Sequence, residues 1–198
     1  FAIMGAGNIA HQFCDAVTLV EDCEVSAIAS KDLGRAQKFA EECSVAHAYD
    51  NYEQMLIEEK PDCVYIAVTP NDHFRLTMLC LEHHVPVLCE KAMFTNSAEA
   101  KAVFEKAEKD QTFVMEAMWS RFLPAVNQAK KWAAEGKIGR LEALQGRIGF
   151  LAPEGADNRY HSPLLCGGAA TDITVYAYEI ATWLVNEPVR KTYAAANL

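Results

Sequence analysis

The sequence predicts an α/β fold: an N-terminal Rossmann domain, built as a doubly wound parallel sheet, followed by the start of a second α/β domain. Three observations predict it. From residue 1 to about 117, short β-prone runs alternate with amphipathic helical stretches, which is the pattern of successive βαβ units. The run Cys63-Val-Tyr-Ile-Ala-Val68 is apolar throughout, as a strand covered on both faces has to be. The chain also opens on an apolar tripeptide that runs into Gly5-x-Gly7-x-x-Ala10, with a helical pattern directly behind it.

In that opening unit Ile9, Phe13, Ala16 and Val17 mark the expected buried stripe of the first helix. A strand, a glycine turn and a helix N-terminus together present backbone N–H groups and a positive dipole end to a diphosphate. On this reading Gly5 makes the tight turn, Gly7 admits the pyrophosphate, Ala10 packs the helix onto the strand, and Asn8 and Ile9 begin the helix beside the ligand.

Further on, Glu24–Ser30 is a β-prone run, and Asp32 reads as the N-cap of a helix whose stripe is Ala36, Phe39, Ala40 and Cys43. Val45–Tyr49 is a short strand and Tyr52–Glu59 a short helix, with Pro61 behind it. After Cys63–Val68, Thr69-Pro70-Asn71 opens a helix that runs to His84. Pro86–Glu90 is the next strand, Ser97–Asp110 the next helix and Thr112–Ala117 a sixth strand. The predicted dinucleotide-binding domain is 1–118. Residues 119–198 form the first, incomplete part of a substrate-binding and oligomerisation domain, with a mostly antiparallel open sheet expected. There the sequence predicts a helix over 121–136, a strand over 141–151, a polar loop over 152–165, a helix over 170–185 and a strand over 189–196.

Composition narrows the function. The 198 residues are 51% hydrophobic and 23% charged, with a formal net charge of −9 and a pI of about 5.1, which speaks against nucleic-acid binding. No apolar run approaches 18 residues, so no membrane span is expected; the sequence begins without a signal-peptide pattern. Seven cysteines at 14, 23, 43, 63, 80, 89 and 166 include no C-x-x-C pair. They predict free thiols in a reducing cytoplasm and no metal site.

The ends of the predicted strands carry the chemistry. Ser30 and Lys31 stand after the second strand, where enzymes using NAD place an acid for the ribose 2′-hydroxyl, and Arg35 lies one helical turn on. A hydroxyl with two cations suits a 2′-phosphate, so NADP is preferred and NAD remains possible; the alternative is that both cations are solvated surface charges. Thr69-Pro70-Asn71 with His73 either lies along the nicotinamide ribose or is a plain helix start capped by Asn71. Glu90-Lys91 ends the fifth strand, where a lysine can exchange a proton with a hydroxyl that becomes a carbonyl. Asp172 and Tyr176, four apart on one helix face, either complete that acid/base group or serve as a dipole-favoured helix start and a core tyrosine.

Gly5-x-Gly7-x-x-Ala10, Ala67-Val-Thr-Pro-Asn71 with His73, Glu90-Lys91 and Gly167-Gly168-x-x-x-Asp172, in that order, resemble the Gfo/Idh/MocA family of oxidoreductases. Met115–Phe122 and the Asp172-x-x-x-Tyr176 spacing are similar to its dihydrodiol dehydrogenase and NADP-dependent D-xylose 1-dehydrogenase branch. The resemblance implies Lys91 as catalytic acid/base, Asp172 beside the substrate, Tyr176 in place of the histidine of many members, and Trp119 and Arg121 lining the nicotinamide and substrate pocket. An ordinary interdomain packing pair is the competing reading of Trp119 and Arg121. It also implies a homo-oligomer, dimer or tetramer, formed through sheet that lies beyond these residues.

Members usually have proline after the catalytic lysine, where Ala92 stands here. A cis bond before a non-proline costs about 3–4 kcal/mol, so a trans loop with a displaced Lys91 is expected. The function expected is hydride transfer between a nicotinamide cofactor and a hydroxyl carbon of a sugar, cyclic polyol or dihydrodiol. A dinucleotide-binding sensor without catalysis, or a hydrolase or lyase with recycled NAD, are the alternatives.

Overall fold

Strand β1 (Ala2–Met4) is wholly buried and hydrogen-bonds on both sides, to β2 (Ala27–Ala29) and to β4 (Val64–Ile66). In the computed structural model, which describes residues 1–155 and 158–195, β3 (His47–Tyr49), β5 (Val87–Cys89) and β6 (Val114–Glu116) complete the sheet. All pairings are parallel and the order is β3-β2-β1-β4-β5-β6, the arrangement of a doubly wound dinucleotide-binding sheet. The reversal of strand order falls between β1 and β4, so the loops leaving these strands and β2 and β5 share one edge.

Period-two alternation divides the core into two layers. Ala2, Met4, Ala27, Ala29, Val64 and Ile66 face α3 (Tyr52–Glu59) and α4 (Pro70–Glu82). Ile3, Ile28 and Tyr65 face α1 (Asn8–Val17) and α2 (Leu33–Cys43). Helix α5 (Ser97–Lys109) packs on α4 through Val103, Ala107 and Leu81. Two caps act as the residue types predict: Asp32 Oδ1 accepts from Arg35 N at 2.7 Å, and Asn51 Oδ1 accepts from Gln54 N at 3.0 Å. The seven cysteines are free thiols, and burial pushes Cys14 up to about 12, as suits a small packing residue.

Two expectations are corrected. The buried stripe of α1 is Ala10, Cys14 and Val17, whereas Ile9 is 40% exposed and Ala16 is exposed. The helix is rotated so that its smallest early residue, Ala10, meets the sheet at Ile3 and Tyr65, and Ile9 is left at the open edge. In the second part, α6 (Pro124–Ala134) and α7 (Val175–Val185) form, but 141–151 and 189–195 adopt no strand; residue 196 lies outside the described residues. A strand exists only when its N–H and C=O groups find a pairing partner, and among the described residues β1–β6 make the one sheet. Among those residues, too, no helix is long and apolar enough to cross a membrane.

The exit of β1 depends on Gly5. Its φ is +110°, and a Cβ there would stand 2.6 Å from the Ala67 carbonyl oxygen at the end of β4. Gly5→Ala should therefore destabilise the fold by roughly 2–3 kcal/mol. Gly7→Ala should cost much less, because the nearest atom to its Cβ would be 3.9 Å away. Urea unfolding of the two variants checks the contrast.

Candidate active site

At the end of β1, Gly7 is the extended N-cap of α1, and no side chain caps that helix. Asn8 and Ile9 are exposed and begin α1 with the positive end of the dipole behind them, whereas the Ala10 N–H already donates to the Gly7 carbonyl at 3.0 Å. A diphosphate fits this surface: Gly7 leaves room, and no acidic residue stands in the first turn. Asn8 and Arg35 also line a cleft of about 500 Å3 together with His11 and Lys38.

At the end of β2, Ser30 is buried and its Oγ accepts from Asp32 N at 3.4 Å. Arg35 donates from Nη2 to the Ala6 carbonyl at 3.2 Å, which fastens it beside the glycine turn. Lys31 is paired with the carboxylate of Asp72, which also takes Arg75 Nε at 3.4 Å. Burial alone would raise the Asp72 pKa, but the Lys31 ammonium and the Arg75 guanidinium outweigh it and hold the carboxyl below its ordinary value.

After β4, Thr69 is the N-cap of α4, without a side-chain bond, and Pro70 is its first helical residue. Asn71 is exposed and inside the helix, so it does not cap; the fixed φ of Pro70 sets the start two residues earlier than a cap at Asn71 would. His73 is fully buried. Its Nδ1 lies 3.0 Å from the Ala92 carbonyl and its Nε2 3.0 Å from the Val68 carbonyl, so it joins the β4 and β5 loops from beneath. Burial pushes its pKa below the ordinary value, against the two carbonyls, which favour the doubly protonated ring.

After β5, the trans linkage expected at Ala92 is not found: the Lys91–Ala92 peptide is cis. Lys91 is turned toward the second part of the chain. Its ammonium donates to the backbone carbonyl of Asp172, lies 3.4 Å from Asp172 Oδ1 and stands 4.8 Å from the centre of the Tyr176 ring. The preceding Glu90 accepts from Tyr65 OH at 2.6 Å and from Lys91 N at 3.2 Å. Burial raises the Glu90 pKa despite these bonds, and Tyr65, buried beside the same carboxylate and stacked 4.0 Å from Phe13, is held well above the ordinary phenol range.

The facing wall comes from the second part of the chain. A π-helical turn over Ala170–Thr174 continues into α7 and brings Asp172, Tyr176 and Glu179 round at spacings of four and three, on one helix face. Gly167 lets the preceding loop fold tightly, since a Cβ there would stand 2.5 Å from the Arg159 carbonyl. Arg159 Nη1 consequently lies 3.4 Å from Asp172 Oδ1. Trp119 Nε1 donates to Tyr176 OH at 2.9 Å, and the two rings meet edge to face at 5.9 Å. Burial raises the Tyr176 pKa, with the Trp119 bond acting in the opposite sense.

Of the residues singled out by sequence, Lys91, Asp172, Tyr176, Trp119 and Glu90 meet in one cluster, and the glycine turn, Ser30 and Arg35 lie along the same sheet edge. Arg121 makes its contacts elsewhere. Its Nε pairs with Glu179 at 2.5 Å and its guanidinium lies 4.5 Å from the Trp183 ring centre, while Ser120 Oγ donates to the same buried Glu179 at 2.9 Å. These contacts of Arg121 lie within residues 119–198, not between the two parts of the chain. Sequence reasoning missed Glu179, Tyr65, Asp72 and Arg159. Glu179 was within reach, because it continues the Asp172–Tyr176 helical face by three residues; the others carry no local signal.

The family described as "Oxidoreductase family, NAD-binding Rossmann fold" (GFO/IDH/MocA) matches residues 1–118, and the GFO/IDH/MocA C-terminal domain matches 126–198. The trans-1,2-dihydrobenzene-1,2-diol dehydrogenase of Mus musculus is 32% identical over 93% of this chain and 55% of its own length. The D-xylose 1-dehydrogenase (NADP(+)) 2 of Haloferax volcanii is 30% identical over 96% of this chain and 58% of its own length. The chain thus spans a little over half of these curated relatives. A solved NAD-binding protein from Listeria innocua superposes with a TM-score of 0.83 at 23% identity, over 93% of this chain and 54% of that one; this likeness concerns the fold.

The raised pKa of Glu90 gives a stability test. Raised in the fold above its ordinary value of 4.5, the group contributes stability below that value and loses it as pH rises through the folded-state pKa. Glu90→Gln should therefore melt about 2–4 °C above the parent at pH 7.5, and this gain should vanish near pH 4. Thermal melts at both pH values decide it.

Proposed function

The chain belongs to the GFO/IDH/MocA oxidoreductase family, and on that premise we propose that it is a dehydrogenase that prefers NADP and acts on a hydroxyl carbon of a sugar, cyclic polyol or dihydrodiol. Residues 1–118 bind the dinucleotide in this proposal, and 119–198 begin the substrate-binding domain. The observation that carries it is the meeting of Lys91 with Asp172 and Tyr176, 81 and more residues away along the chain, at the carboxyl edge of the sheet. Relatives named as dihydrodiol and D-xylose dehydrogenases support the substrate class.

The α1 amides, Gly5 and Gly7 would hold the diphosphate, and Ser30, Lys31 and Arg35 the ribose end. The NADP preference is supported by the residue types after β2. Asp32, the first carboxylate after β2 in the chain, accepts from Arg35 N and so serves as a helix cap. Thr69, Pro70 and Asn71 stand where the path toward Lys91 continues. When bound, a nicotinamide dinucleotide supplies the hydride chemistry.

The chain's own residues supply position and proton transfer. Lys91 gives or takes the proton of the substrate hydroxyl, and Asp172 fixes the ammonium through its carbonyl and carboxylate. The Tyr176 oxygen accepts from Trp119, which leaves its own O–H free to donate to substrate, and its raised pKa keeps that proton in place at neutral pH. The edge-to-face Trp119–Tyr176 pair offers an apolar wall for a ring substrate.

Lys91→Met should lower kcat by about 100-fold to 10,000-fold, the range of a lost acid/base, with NADPH affinity within about threefold of the parent. Tyr176→Phe should lower kcat by about 10-fold to 100-fold, since Trp119 loses its acceptor and the substrate one donor. Steady-state kinetics with a sugar, polyol and dihydrodiol panel, alongside NADPH fluorescence titration, tests both. Unchanged turnover in Lys91→Met would refute the role assigned to that residue.

A further inference from the structure

Lys31 stands just after β2, where the proposed reading puts a 2′-phosphate, yet it already has a partner. Its ammonium donates to Asp72 in the first turn of α4. Because β2 and β4 are the two neighbours of β1, this ion pair links the loops on either side of the glycine turn. The partners are unequal. The Asp72 side chain is 15% exposed, against 66% for Lys31. Asp72 is also held by Arg75 Nε at 3.4 Å and stands at a helix N-terminus, whose dipole favours a carboxylate there. Arg75 in turn lies 6.0 Å from the centre of the Tyr52 ring, which seats it against α3. Asp72 is therefore the anchored member and Lys31 the one free to change partner.

We propose that Asp72 is a specificity-determining residue: it competes with a 2′-phosphate for Lys31 and so narrows the preference for NADP over NAD. The inference rests on the reading of Ser30, Lys31 and Arg35 as the ribose end of the cofactor site. Asp32 and Asp72 offset two of the three cations gathered there, Lys31, Arg35 and Arg75. A phosphate arriving at Lys31 has to displace one carboxylate and then remains near it. A 2′-hydroxyl carries no charge and gains nothing from that exchange, since the buried Ser30 Oγ serves it as well with Asp72 present as without.

Direct titration of the full-length protein with NADPH and with NADH tests this, in the parent and in Asp72→Asn, Asp72→Ser, Lys31→Ala and the double variant Lys31→Ala/Asp72→Asn. Removing one charge at a partly exposed site should tighten NADPH binding about three-fold to ten-fold, and NADH binding less than about two-fold. The gain should shrink at high salt and be absent in the double variant. The proposal is overturned if neither Asp72 variant tightens NADPH while Lys31→Ala still weakens NADPH selectively; that outcome leaves the cofactor reading standing. If Lys31→Ala leaves the NADPH to NADH ratio unchanged, the 2′-phosphate reading fails and this inference falls with it.

Discussion

Strand β1 is the member on which the rest depends. It is buried on both faces and bonded on both edges, and it ends at Gly5, whose N–H donates to the Ala29 carbonyl at 2.8 Å. Because Gly5 has no side chain, the turn out of β1 passes directly over the Ala67 carbonyl at the end of β4. That close passage draws the exits of β1, β2 and β4 together and aims the bare N-terminus of α1 along the sheet edge. A side chain at this one position would push those loops apart. The N-terminus of α1, the Ser30–Arg35 loop and the loop after β4 all take their positions from it.

A second constraint ties the halves of the site. Lys91 leaves β5 and meets the backbone carbonyl of Asp172, so the two parts of the chain are joined at the residues proposed to do the chemistry. Within the second part, Trp119 bonds Tyr176 and Arg121 pairs with Glu179. The three contacts differ in kind. The buried Glu179 with Arg121 and Ser120 is a structural clasp, since Glu179 is too enclosed to meet substrate. Lys91 and Tyr176 are the residues proposed to meet the substrate hydroxyl, and the Lys91 ammonium stands 4.8 Å from the Tyr176 ring centre. His73, beneath both loops, holds the backbone of Val68 and Ala92 in one arrangement.

Much of the fold was legible because its causes are local. The alternation of apolar runs and helical stripes marked six strands and their helices; the three-residue β cores sit inside the longer runs read from sequence. Asp32 announced its helix because a carboxylate before a helical pattern has one obvious use. The stripe of α1 was misplaced because apolar type alone does not say whether Ile9 or Ala10 can approach a sheet that closely. The strands expected over 141–151 and 189–196 were read from β-prone residues, and a strand needs a pairing partner as well as a propensity.

The sequence by itself determined the fold class, the order of elements and the residue types at the strand ends: glycines, a serine with cations, and a Glu-Lys pair. It could do so because turns, caps and periodicities are set within a few residues. The tertiary structure alone decided which of these groups meet. It gave Lys31 to Asp72, 41 residues away, turned Arg121 toward Glu179, buried His73 under two carbonyls and set Lys91 against Asp172. Such partnerships depend on long-range packing and on which charge is left without solvent, and no local pattern records either.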